Sequence, residues 1–232
     1  ITAARPYEPP GPSKNLKYPT VGYRIEKTSM RSIFTPCGAA LATPAAASTV
    51  DRRFSVITGG PGTGKTTTVV NLAAGLAMHG ARVLCIDLDP QGSLATCLGV
   101  RYTYCLTHML MGQAEPRACT VQARDNLDLI ASDASLLQVE GEMWRMDDSR
   151  AARDLLASRM QGLENDYDYV LADFSPSASI LSESGLQYVR ELIVPVSMSY
   201  MALVVTRQVI ETLKQVGRIP RHRVFLYLLV PT

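Results

Sequence analysis

No apolar run in this sequence reaches the ~18 residues that a membrane-spanning helix needs, so nothing in it reads as a transmembrane segment. The five cysteines, Cys37, Cys85, Cys97, Cys105 and Cys119, contain no CxxC pair, a pattern that fits reduced thiols in a cytosolic protein. An excess of one charge is lacking too. Lys and Arg number 23 against 21 Asp and Glu, for a net charge of +2. That balance is too mild to imply nucleic-acid binding by the chain as a whole, so any basic patch must be local. What is present is a globular composition, 47% hydrophobic and 19% charged over 232 residues, enough for one domain with a substantial core.

Residues 1–52 differ from the rest. Pro6, Pro9, Pro10, Pro12 and Pro19 crowd the start, and an Ala/Thr/Pro tract fills 42–49. Prolines remove backbone donors and favour extended chain, so little regular structure is expected. Six Lys/Arg between Arg5 and Arg31 face only Glu8 and Glu26, a composition that suits a tethering arm, a linker or a targeting leader. The chain begins at Ile1 and stops at Thr232, directly after an apolar run, and is expected to be truncated at its C-terminus.

From Arg53 onward, strand and helix signals alternate. Buried strands are predicted at 53–58, 81–89, 126–131, 168–174, 191–196 and 223–230, with helices over 66–78 and near 149–162 and 200–216. Strands alternating with helices imply an α/β fold of three layers, a mostly parallel twisted sheet with helices on both faces.

The run Gly59-Gly60-Pro61-Gly62-Thr63-Gly64-Lys65-Thr66 satisfies G-x-x-x-x-G-K-[ST], after a predicted strand and at a helix start. Glycines let backbone N–H groups close around phosphate oxygens, and the helix N-terminus favours the negative charge. Lys65 would face the β- and γ-phosphates, Thr66 would place its hydroxyl on Mg²⁺, and Thr67 could bond the α-phosphate. The expected ligands are ATP or ADP with Mg²⁺. Asp173 ends the fourth predicted strand as a Walker B aspartate that binds Mg²⁺ through water. Asp87 and Asp89 end the second, inside Asp87-Leu-Asp-Pro-Gln-Gly-Ser93, as candidates to orient water or support the metal shell. An Asp before Pro-Gln-Gly also caps a turn, which is the alternative for one of them.

The loop by itself is shared with superfamily-one helicases, which need far more chain. The segments outside it are more specific. VVNLAAGLAMHGARVLCIDLDPQGSLATCLGV (69–100), NLDLIASDASLLQVE (126–140), DYDYVLADFSPSAS (166–179) and ELIVPVSMSYMALVVTRQVIETL (191–213) together resemble the ParA/MinD family of partitioning ATPases, over roughly 53–232. The resemblance implies an ATP-dependent switch of ParA type, a slow ATPase that dimerises on ATP and binds DNA non-specifically. Further implications are an adaptor protein that stimulates hydrolysis, the task of positioning DNA or a cargo, and a cytoplasmic, nucleoid-associated location. Lys65, Asp89 and Asp87 would form the catalytic set.

Two departures stand out. The family's signature lysine aligns with Gly60, and no lysine occurs between Lys65 and Lys214 to replace it. Arg145, Arg150 and Arg153 are candidate substitutes, although solvated helix faces paired with nearby Asp147, Asp148 or Asp154 are the simpler explanation. Phe174-Ser175-Pro176 stands where the family commonly has Cys-Pro-Pro. Late in the chain, Arg207, Lys214, Arg218, Arg221 and Arg223 against Glu211 could bind DNA phosphates or form a solvated face. No C-terminal membrane-binding amphipathic helix of MinD type is evident. Rival readings are a degenerate nucleotide-binding module with little turnover, an iron–sulfur reductase whose cluster cysteines cannot be matched here, and a carboxylate-activating synthetase.

Overall fold

The structure, a computed structural model, describes residues 53–56, 62–177, 179–196 and 225–231. Seven strands form one sheet in the order β3-β4-β2-β5-β1-β6-β7. They are β1 (Arg53–Val56), β2 (Val83–Leu88), β3 (Thr120–Arg124), β4 (Leu127–Ile130), β5 (Tyr169–Phe174), β6 (Glu191–Val196) and β7 (Phe225–Pro231). Every neighbouring pair is parallel except β3 with β4, which is antiparallel. The six predicted strands are all present, and the sheet is mostly parallel as expected.

The strands read as continuous apolar runs because helices cover both faces. All six residues of β2 are buried. Its side chains alternate between two cores, as the period of two requires. Leu84, Ile86 and Leu88 join Val170, Ala172 and Phe174 of β5 in one core, with apolar residues of α3 (Leu106–Leu110), α4 (Leu136–Arg145), α5 (Ser149–Met160) and α6 (Ile180–Tyr188). Val83, Cys85 and Leu171 join the opposite core, with Val69, Ala73 and Ala77 of α1 (Lys65–Met78) and Leu94, Ala95 and Leu98 of α2 (Ser93–Leu98).

That alternation decides where the site lies. Asp87 and Asp173 continue the 83-85-87 and 169-171-173 series, so both point to the α1 side. The parallel register of β2 and β5 makes them direct partners across the two strands.

Helix α1 spans 65–78 against an expected 66–78, and α5 ends two residues earlier than expected. The edge strand β3 and the short helices α2 and α3 were not foreseen. The expected helix near 200–216 and the arm 1–52 lie outside the described residues. Among the described residues no helix is long and apolar enough to cross a membrane, and Cys85, Cys97, Cys105 and Cys119 are free thiols.

Candidate functional site

The phosphate loop enters α1 through glycine. Gly62 and Gly64 adopt φ of 76° and 83°, a left-handed backbone that a side chain resists. Gly64 is the N-cap of α1, so no side chain occupies the helix N-terminus, and the first turn holds no acidic residue. The Gly64 carbonyl accepts the Thr68 N–H at 2.8 Å and the Thr68 hydroxyl at 2.7 Å. The loop exit is thereby fixed, while the leading amides of a 14-residue helix are presented to an incoming anion.

Lys65 is only 8% exposed. Burial lowers its pKa, and the charges of Asp173 and Asp89 oppose that shift. Thr66 is half-buried beside it and Thr67 is exposed.

Asp173 is 1% exposed, and neither of its carboxylate oxygens has a hydrogen-bond partner among the described residues. Burial pushes its pKa up to about 6. The facing Thr66 hydroxyl and the Lys65 ammonium hold it down in part, without closing a hydrogen bond of normal geometry. A buried carboxylate left without donors is costly unless a cation completes it. Among the described residues no three His, Cys, Asp or Glu side chains cluster tightly enough to hold a metal by themselves. One carboxylate, one hydroxyl and the phosphates of a bound nucleotide form the donor set that magnesium favours, so these residues fit a Mg-nucleotide.

Asp87 and Asp89 are used differently. Asp87 is fully buried, and its two oxygens accept the N–H groups of Asp89 and Leu94, each at 3.0 Å. It ties the β2–α2 loop back to the strand and does not line the cleft described below. Burial pushes its pKa up to about 7, against those two backbone hydrogen bonds and with the nearby Asp173 charge adding to the rise. Asp89 is half-buried and accepts the Gln91 N–H at 3.0 Å, an Asx turn that leaves carboxylate surface to the cleft.

An open cleft of about 520 Å³ joins these parts. Gly62, Gly64, Lys65, Thr66 and Thr67 form one wall, Asp89 to Gln91 and Ser93 another, and Ser175, Pro176 and Ser177 a third. Leu137, 58% exposed on α4, also lines it. Sequence reasoning named the segments carrying Gln91, Ser93 and the serines but missed Leu137. An exposed leucine in a helix gives no chemical signal.

The candidate arginines do not reach the cleft. Arg145 pairs with Glu142 at 2.5 Å, Arg150 with Asp154 at 3.7 Å, and Arg153 with Glu183 at 2.9 Å, on exposed helix faces. Gly60, Pro61, Arg207, Lys214, Arg218, Arg221 and Arg223 lie outside the described residues. Thr63, at the cleft entrance, is half-buried.

The raised carboxyls give stability a definite pH slope. Asp87 and Asp173 each start from an ordinary value of 3.8. A carboxyl whose folded pKa is raised binds its proton more tightly in the native state. Its stabilising contribution is complete below about pH 4 and is lost as pH rises through about 6 to 7. The nucleotide-free protein is therefore expected to melt at lower temperature at pH 8 than at pH 5. The two groups together account for a difference on the order of a few kcal/mol. Mg-ATP is expected to flatten the slope by giving Asp173 a cation, and thermal melts across pH with and without Mg-ATP measure both effects.

A family model described as an AAA domain matches residues 54–224. The chromosome-partitioning ATPase Soj of Thermus thermophilus is 38% identical over 174 residues, 74% of this chain. The match spans 66% of that relative's length, and 59% to 62% of three further partitioning and sporulation-control relatives. Among solved structures, a cobyrinic acid a,c-diamide synthase from Mycobacterium smegmatis with bound ADP and magnesium is 30% identical, with a TM-score of 0.72 over 78% of this chain and 74% of that one. McdA from Cyanothece shares the fold at 23% identity and TM-score 0.72, over 78% of this chain and 71% of that one.

Proposed function

Because the chain belongs to the family described as an AAA domain and to the ParA/MinD family of partitioning ATPases, we propose that it works as an ATP-dependent molecular switch of ParA type. The observation that carries this reading is the buried, unpartnered Asp173 carboxylate facing Lys65 and Thr66 at an uncapped helix N-terminus.

On this reading, Gly62, Thr63, Gly64 and the leading amides of α1 cradle the phosphates together with Gly60 and Pro61. Lys65 offsets β- and γ-phosphate charge and Thr67 bonds the α-phosphate. Thr66 and Asp173 hold Mg²⁺, Asp173 through water. Magnesium supplies charge neutralisation of the β- and γ-oxygens when bound. Asp89 orients the attacking water from the edge of the cleft, and Asp87 keeps the Asp89 backbone in place. Residues 53–232 form the ATPase domain and 1–52 a basic tethering extension.

With Gly60 in the place of the signature lysine, turnover is slow and waits on a stimulating adaptor protein. ATP binding brings two copies together, and Arg207, Lys214, Arg218, Arg221 and Arg223 then meet DNA phosphates, placing the protein on the nucleoid in the cytoplasm. The alternative is a degenerate module in which nucleotide is structural, and Gly60 is the feature that favours it. The synthase among the solved relatives keeps the carboxylate-activating reading open, but the partitioning proteins among the sequence relatives favour the switch.

Fluorescence anisotropy with random-sequence duplex DNA tests the DNA step, using the Asp89→Ala protein to hold ATP unhydrolysed. Binding with Mg-ATP that weakens about tenfold or more on adding salt, and is absent with Mg-ADP, is the expected result. Equal binding in both nucleotides, or none in either, would overturn it.

A further inference from the structure

The loop carrying Asp89 has a second anchor besides Asp87, and it comes from a different strand. Ser132, two residues beyond the end of β4, is fully buried, and its hydroxyl donates to the Asp89 main-chain carbonyl at 2.5 Å. The same carbonyl accepts the Gly92 N–H at 3.0 Å. Ser132 is itself held. Its carbonyl accepts the Tyr102 hydroxyl at 3.0 Å, and the preceding Ala131 carbonyl accepts the Leu106 N–H at 2.8 Å.

Gly92 is part of the same fit. It adopts φ of 62°, and a Cβ there would lie 2.5 Å from the Ser132 carbonyl oxygen. The loop backbone therefore packs directly on the Ser132 peptide. Only glycine allows that approach, and only a small side chain at 132 can turn back into the loop. The hydroxyl thus meets the loop at Asp89 from a base built by β4, Tyr102 and α3.

We propose that Ser132 is a positioning residue for Asp89, fixing the backbone from which that carboxylate reaches the cleft. The inference rests on reading the cleft as an ATPase site. Ser132 does not line the cleft, so it acts on the orientation of Asp89 and not on nucleotide affinity. An apolar side chain at 132 would leave the Asp89 carbonyl with the Gly92 amide alone, loosening the loop although Asp87 still accepts the Asp89 and Leu94 amides. A misplacement of about 1 Å at a reacting group can cost on the order of a hundredfold, so a partial loosening is visible in turnover.

The test is Ser132→Ala in the full chain, with Tyr102→Phe as a milder variant. The expected result for Ser132→Ala is a fall in kcat of roughly five- to twentyfold, with KM for ATP within about twofold. In an Asp89→Ala background the same change should cost nothing further, because the group it positions is gone. An unchanged kcat, or an equal loss in both backgrounds, would overturn the proposal. Hydrogen exchange of the nucleotide-free protein supplies a readout that needs no turnover. Amides of 89–94 should exchange about tenfold faster in Ser132→Ala while those of β5 keep their protection, and unchanged exchange at 89–94 would also overturn it. Should Lys65→Ala hydrolyse ATP as fast as the wild type, the ATPase reading fails by itself. The exchange experiment then decides the Ser132 anchor alone.

Discussion

Replacing Lys65 with alanine is expected to lower ATP turnover by about a hundredfold or more, the scale seen when one preorganised charge is removed from a reaction centre. The reasoning starts from burial. Lys65 is almost wholly shielded from solvent, and the charges of Asp173 and Asp89 oppose the downward shift that burial imposes on its ammonium. A charge held ready in this way needs little reorganisation when phosphate arrives. Among the described residues no other lysine or arginine lines the cleft, so nothing nearby takes over. Phosphate release under saturating Mg-ATP measures the effect, and a thermal melt confirms that the variant is folded. A variant turning over as fast as the wild type would mean that the observed activity belongs to something else.

The second large effect is expected from Asp173→Asn, and it has two signs. Magnesium affinity in the presence of ATP should fall by roughly ten- to a hundredfold, because the amide keeps the shape but cannot supply the charge. The nucleotide-free protein should become more stable at pH 8, because the buried carboxylate that finds no donor is gone. Its stability should also depend less steeply on pH, because one of the two raised carboxyls is removed while Asp87 remains. Magnesium titrations followed by nucleotide fluorescence, together with melts at pH 5 and pH 8, read both signs. A variant that binds magnesium normally, or that loses stability at pH 8, would remove Asp173 from the metal shell.

The sequence made the fold and half of the site readable for one physical reason. A parallel sheet covered on both faces turns its strands into uninterrupted apolar runs, and a polar residue at the end of such a run is conspicuous. Asp173 was visible on those grounds, and the Gly62–Thr67 loop by its glycine-rich motif between a strand and a helix start. The edge strand β3 was not, because Thr120–Arg124 is mostly half-buried or exposed and carries no apolar run. Helices α2 and α3 have six and five residues, too short for a helical period to declare itself. The difference between Asp87 and Asp89 was also hidden. Both sit at the same strand end, and only the fold of the next seven residues shows Asp87 turned back to backbone amides while Asp89 faces the cleft. Ser132 gave no signal at all, since its task depends on a contact 43 residues away.

On this reading nucleotide controls assembly, and the solution mass of the full chain carrying Asp89→Ala shows whether it does. Light scattering would be recorded with Mg-ATP, with Mg-ADP and without nucleotide. A dimer with Mg-ATP and a monomer in the other two states is the result expected of an ATP-driven switch, and it would show that the switch survives with Gly60 in place of the signature lysine. One mass in all three states would contradict the account and leave a nucleotide-binding module whose ligand is structural.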